Sequence, residues 1–145
     1  MPAEPNNLDP KISEAIQTLS TKGDDLAEAG AYKSAIAEYN KAWALVPEPK
    51  NNWEASTWIL TAIADACFLA GYFTSARKAL GYAMTCPCAI GNPFLHLRYG
   101  QVLFEAGDHA QAVNELMRAY MGAGTEIFAN DDPKYLDFLK KRAAI

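Results

Sequence analysis

The sequence has no excess of positive charge, no long apolar run and too few cysteines for a disulfide framework, and each shortage removes a class of protein. Thirteen Lys and Arg are scattered among seventeen Asp and Glu, for a net charge of −4. Nucleic-acid binders concentrate basic residues in a stripe that neutralises phosphates, and this chain has none. The same acidic balance disfavours an anionic lipid surface and favours a basic protein partner. No stretch approaches the roughly 20 apolar residues that a membrane-spanning helix needs. The opening MPAEPNNLDP lacks both the basic and the apolar segment of a secretory signal. Three cysteines, an odd number, point to a reducing cytoplasm.

Catalytic and cofactor signatures are also missing. The chain has no HExxH helix, no glycine loop that cradles phosphate and no dinucleotide fingerprint. Cys86-Pro87-Cys88 invites a metal or redox reading. Structural zinc, however, needs four ligands, with at least two residues between paired cysteines. Cys67, His96 and His109 are the other candidate ligands, and nothing in the spacing brings them together. The expectation is that Cys86 and Cys88 pack at a helix end, that His96 is a satisfied core histidine, and that His109 sits at an exposed turn. No nucleophile pairs with a base, so a non-catalytic protein without cofactor or metal is expected.

The chain does contain one pattern written three times. EAGAYKSAIAEYNKAW at 28–43, LAGYFTSARKALGYAM at 69–84 and EAGDHAQAVNELMRAY at 105–120 align on Gly30, Gly71 and Gly107, at spacings of 41 and 36 residues. Repetition on this scale is the mark of stacked helical units. In each copy the glycine falls where a first helix must end in a left-handed conformation. Ala35, Ala76 and Ala112 follow five residues later, and Ala42, Ala83 and Ala119 seven beyond those, on one helix face. Tyr39, Leu80 and Leu116 between them supply bulk to fill the space the alanines leave. Upstream of each glycine, Gly23, Ala64 and Gly100 are small, and Leu26, Cys67 and Leu103 lie one turn on. Leu19, Leu60 and His96 lie one turn before. This is helical spacing. Pro47 and Pro87 close the second helices of the first two units.

The pattern resembles the tetratricopeptide repeat: a small residue, an apolar one three later, then glycine, alanine, aromatic, alanine and a closing proline. The resemblance covers about two thirds of the chain, with Lys22, His96 and Gly124 as departures from the family's residues. Lys22 can snorkel out of an apolar position. The resemblance implies an all-α solenoid of antiparallel helix pairs, with repeats at about 9–47, 52–88 and 93–124. A frayed segment would precede them at 1–8. Asp9-Pro10 is a cap and first-turn pair, and Asn52 is placed to cap the third helix. GAGTEIFANDD at 122–132 reads as a loop, and residues 125–145 hold the rest of that loop and a last helix that starts at Asp132-Pro133 and covers the apolar end of the solenoid.

Tetratricopeptide proteins bind through a concave surface built from the first helix of each repeat. Carried over by resemblance, the ligand-facing positions of the first repeat are Gln17, Ser20, Asp24, Ala27 and Glu28. Those of the second are Trp58, Thr61, Asp65, Phe68 and Leu69, and those of the third Phe94, Leu97, Gln101, Phe104 and Glu105, with Arg98 as the one cation. The set is aromatic in the middle and acidic at intervals. Asp24 and Asp65 stand where the family's clamp for chaperone C-terminal tails uses asparagine, so an acidic tail would be repelled. An apolar segment flanked by Lys or Arg fits instead. Trp58, Phe68, Phe94 and Phe104 recur at a spacing that serves groove or inter-repeat core equally, with Trp58 the leading candidate hot spot.

The expected function is therefore protein–protein interaction, with neither nucleic acid nor membrane as partner. Two narrower readings accompany it. GNPFLHLRYGQ followed by AYMGAGTEIFANDDPKYLDFLKK is similar to small bacterial tetratricopeptide proteins that serve as immunity partners of secreted toxins. Chaperones of type III secretion translocators also consist of three such repeats. Exposed apolar groove surface is equally compatible with a homodimer.

Overall fold

The computed structural model describes residues 8–145. The expected frayed segment lies outside the described residues except for Leu8, which is half-buried and in no regular element. Among these residues are seven α-helices: α1 (Pro10–Glu28), α2 (Tyr32–Leu45), α3 (Glu54–Ala70), α4 (Phe73–Ala83), α5 (Pro93–Glu105), α6 (His109–Ala123) and α7 (Lys134–Arg142). Short 3-10 turns at Lys50–Asn52 and Thr125–Phe128 complete the secondary structure, and there is no strand among the described residues. None of these helices is long and apolar enough to cross a membrane. The chain divides into two compact units, Met1–Ala89 with α1 to α4 and Ile90–Ile145 with α5 to α7.

The repeated glycines act as the repetition implies. Gly30, Gly71 and Gly107 take φ of +79°, +85° and +87°. At each, the glycine N–H bonds back three residues, to the carbonyls of Ala27, Phe68 and Phe104. The next N–H reaches back five residues, to the carbonyls of Leu26, Cys67 and Leu103. This pair of bonds satisfies carbonyls that the helix end would otherwise leave orphaned, and it turns the chain into an antiparallel hairpin.

Packing inside each pair follows from the small residues. Ala35, Ala42, Ala76, Ala83, Ala112 and Ala119 are all fully buried, and Tyr39, Leu80 and Leu116 are buried between them. In the first and third pairs these bulky side chains lie over the small residue of the preceding helix. Gly23 faces the Tyr39 ring, and Gly100 faces the Leu116 side chain. The large residue of the second helix thus fills the notch left by the first, as close ridge-into-groove packing requires. In the first unit α3 also packs against α2, burying Trp53, Ile59, Leu60 and Ile63. In the second, Phe128, Tyr135 and Leu139 extend the core of α5 and α6.

The cap of α1 agrees with the sequence, whereas α7 begins one residue past the expected Asp132-Pro133 start, at Lys134 with Pro133 at its cap, and α3 also differs. Asp9 accepts the Lys11 N–H at 2.8 Å with Pro10 as first helical residue, and Asp132 accepts that of Lys134 at 3.0 Å. Asn52, expected to cap α3, does not. It ends the 3-10 turn, and Trp53 takes the capping position without a side-chain bond. Nearby, the Ser56 hydroxyl donates to the Lys50 carbonyl, and Trp53 Nε1–H donates to the Pro47 carbonyl at 2.9 Å. The stretch read as a plain loop after α6 contains the 3-10 turn that buries Phe128. Lys22 behaves as a snorkelling residue, its ammonium exposed and 3.5 Å from the Glu38 carboxylate.

Candidate functional site

In the first unit, Gln17, Asp24 and Glu28 succeed one another at intervals of seven and four along α1, which places them on one face, and all three are exposed. On α3, Trp58, Ala62, Asp65 and Leu69 form a second stripe at intervals of four, three and four. Trp58 is 72% exposed and Leu69 51% exposed. Among the described residues, Trp58 and Leu69 are large apolar side chains left open to solvent on this face.

Between the stripes lies a cleft of about 270 Å3, lined by Asp24, Ala27 and Glu28 of α1, Tyr39 of α2, and Ala62, Asp65, Ala66 and Leu69 of α3. Tyr39 forms the floor: its ring is buried, and its hydroxyl donates to Asp24 Oδ1 at 2.6 Å. Burial first, and the Asp24 carboxylate second, push the Tyr39 phenol well above its ordinary range, so it remains a donor at any physiological pH. That bond fixes one of the three carboxylates at the rim. No Lys or Arg is among the lining residues.

Two further positions of this unit are less available. Thr61 is half-buried and turns its hydroxyl back to the Thr57 carbonyl at 2.6 Å. Phe68 is half-buried against Phe73, with ring centroids 5.8 Å apart. The cysteine pair separates: Cys86 is buried, as expected, but Cys88 is exposed in a left-handed conformation rather than packed, with φ +62°. Its thiol donates to Glu54 Oε1 at 3.2 Å, and that bond raises its pKa; burial raises those of Cys86 and Cys67. Among the described residues no three His, Cys, Asp or Glu gather as a metal site.

In the second unit the positions carried over from the resemblance behave differently. Phe94 is exposed, but Leu97 is 2% exposed and Gln101 is fully buried, which removes both from direct reach of a partner. Arg98 is buried too. Its guanidinium donates to Gln101 Oε1 at 2.9 Å and lies 4.0 Å from the Asp131 carboxylate. The last two positions are taken by α7. Glu105 accepts the Tyr135 hydroxyl at 2.8 Å and pairs with the Lys134 ammonium at 2.7 Å. Phe104 stacks on His109 at 4.9 Å and meets Phe138 and Tyr135 edge-on. Burial alone would raise the Glu105 pKa, but the hydrogen bonds from Lys134 and Tyr135 outweigh it and hold the carboxyl below its ordinary value. These residues fasten the last helix.

His96 is the satisfied core histidine expected of it. Its Nδ1 lies 2.6 Å from Glu115 Oε2, and its Nε2 accepts the Gly91 N–H at 2.8 Å. With Nε2 accepting, the ring proton sits on Nδ1 and donates to Glu115. His109 is exposed at the start of α6, also as expected, though its ring is used in the stack on Phe104.

The structure therefore keeps the α1 and α3 positions of the first unit together as an open surface, and withdraws most of those on α5. Three residues of the cleft, Tyr39, Ala62 and Ala66, were not among the expected site positions. Tyr39 read only as packing bulk, and the two alanines gain their place from the helix face they share with Trp58.

No protein-family model matches the sequence, and no curated protein matches it. Among solved structures, the first tetratricopeptide domain of Spaghetti (RPAP3), bound to an HSP90 peptide SRMEEVD, superposes with a TM-score of 0.66 at 21% identity, over 89% of this chain and 93% of that one. The fold is thus a helical repeat of tetratricopeptide type.

Proposed function

We propose that this chain is a non-catalytic protein-interaction module whose docking surface is the α1 and α3 face of the first unit, and whose partner presents Lys or Arg beside apolar side chains. The observation that carries this reading is the exposed Trp58 and Leu69 flanking a cleft rimmed by Asp24, Glu28 and Asp65. Apolar anchors supply affinity, and charges at the rim select partners and speed encounter. The tetratricopeptide neighbour supports a protein or peptide ligand, but its peptide, SRMEEVD, carries two glutamates and an aspartate. The acidic rim here would repel such a ligand, so this surface takes a basic one. The immunity and secretion-chaperone readings both lie within this proposal. A folded basic domain as partner favours the first, and an extended or helical apolar segment the second.

Affinity capture with the tagged protein, alongside a Trp58→Ala, Leu69→Ala variant, tests the proposal. The expected result is one stoichiometric partner with basic and apolar contact residues, retained by the parent and lost by the folded variant. A partner retained equally by both would move the docking surface elsewhere.

A further inference from the structure

We infer that the face of α1 and α3 accepts the end of α7 from a second copy of this chain, an assignment that rests on that face being a docking surface. The chain carries the chemistry that the face selects. Helix α7, KYLDFLKKR, holds four cations against one carboxylate, and three of the cations, Lys140, Lys141 and Arg142, are consecutive and exposed. They are followed by Ala143, Ala144 and Ile145, with Ile145 also exposed.

Three basic residues beside three apolar ones match what the cleft offers in the first unit: Asp24, Glu28 and Asp65 at the rim, with alanine walls and Leu69 between them. Asp24 already accepts the Tyr39 hydroxyl, and three carboxylates of the second unit are likewise engaged within it. Glu105 holds Lys134 at 2.7 Å, Glu115 accepts the His96 Nδ1–H hydrogen bond, and Asp131 lies 4.0 Å from Arg98. Cations in a last helical turn also favour the helix dipole, and this accounts for their presence without a partner. The backbone leaves the helix at Ala143 in an extended conformation (φ −143°, ψ 146°), and the Ile145 N–H bonds back to the Ala143 carbonyl at 3.1 Å, with the Ile145 side chain exposed.

Such a contact joins different surfaces of the two copies. It closes if the exchange is reciprocal and otherwise grows as a chain of molecules. It depends on exposed charge, so salt weakens it.

The test is light scattering on size-fractionated protein at low salt, from micromolar to millimolar concentration. It compares the parent with Asp24→Lys, Asp65→Lys and with Lys140→Glu, Lys141→Glu, Arg142→Glu. Should Asp24→Lys disturb folding through Tyr39, Glu28→Lys with Asp65→Lys replaces it, and helical circular dichroism checks each variant. The parent should associate with concentration and dissociate with salt. Each charge reversal alone should weaken association by roughly tenfold. Mixing the two should restore it, because a basic cleft then meets an acidic helix end. A parent that stays monomeric at millimolar concentration, an association that survives either reversal, or a mixture that stays monomeric would each overturn the inference. Titration with a lysine-bearing amphipathic helical peptide separates the two levels of the argument. A monomeric parent that binds the peptide overturns self-docking alone, whereas one that binds neither overturns the docking surface as well.

Discussion

Gly100→Ala should destabilise the protein even though alanine is the better helix former. Gly100 lies inside α5, and a Cβ added there would stand 2.6 Å from both Cγ and Cδ2 of Leu116 and 3.0 Å from its backbone nitrogen. Carbon atoms in ordinary contact keep about 3.5–4.0 Å apart. The overlap is therefore close to 1 Å on two atoms, and rotating the side chain relieves neither the backbone contact nor the crowding around a fully buried leucine. Overpacking of this kind costs about 1–3 kcal/mol. Helix propensity returns about 1 kcal/mol. The clash falls on backbone as well as side chain, so the upper half of that range applies and the net loss is about 1–2 kcal/mol. At roughly 4 °C per kcal/mol for a chain of this size, Tm falls by about 4–8 °C. Thermal unfolding followed at 222 nm reads this directly. In a Leu116→Ala background, where the two side-chain atoms are gone and only the 3.0 Å backbone contact remains, the same substitution should cost clearly less than in the parent. A Tm that is unchanged or raised in the parent background would refute the close approach of α5 and α6 on which the packing argument depends.

Trp53→Ala should cost about 3–5 kcal/mol, because the ring is buried and its Nε1–H is bonded to Pro47, whereas Trp58→Ala should cost about 1 kcal/mol or less; chemical denaturation of the two variants measures the contrast. Phe104→Ala should lower Tm, since the ring is clamped between His109 and α7. Glu105 has its folded pKa below the ordinary carboxylate value of 4.5, so its contribution is present above that pH and is lost as pH falls through the lower, folded value. Tm should therefore drop more between pH 5 and pH 3 in the parent than in Glu105→Gln, and equal pH profiles would exclude this carboxylate as an anchor of α7. Glu115→Ala leaves the His96 Nδ1–H buried without its acceptor and should cost about 1–3 kcal/mol, read from the shift in denaturation midpoint.

The fold was readable because the physics that makes it is local. A glycine that must turn left-handed, and small residues at helical spacing, leave a direct trace in the order of residues, and three copies remove accident. The α3 cap was not readable, because Asn52 and Trp53 compete for the position and the outcome depends on where Trp53 finds its core. The site was half readable. Gln17, Asp24, Glu28, Trp58 and Asp65 emerge on the open face, while Leu97, Gln101, Phe104 and Glu105 occupy corresponding repeat positions and are buried or engaged. The difference is the neighbour. Phe104 and Glu105 meet α7, and no feature of the α5 sequence shows that Tyr135 and Lys134 will reach them. A residue pattern specifies which face of a helix a side chain is on, and tertiary packing decides whether that face stays open.

The most direct test of the docking surface is a calorimetric titration with an amphipathic helical peptide carrying leucines on one face and lysines along its edge. It would be run on the parent, on Trp58→Ala, and on Asp24→Lys, Asp65→Lys, at low and moderate salt. Saturable binding is predicted for the parent, weakened by salt. Trp58→Ala should lose about 2 kcal/mol or more, roughly 30-fold in affinity, while its Tm stays near that of the parent. The double lysine variant should show no binding. Binding of equal strength in all three proteins, or no binding by the parent, would contradict the assignment of this face.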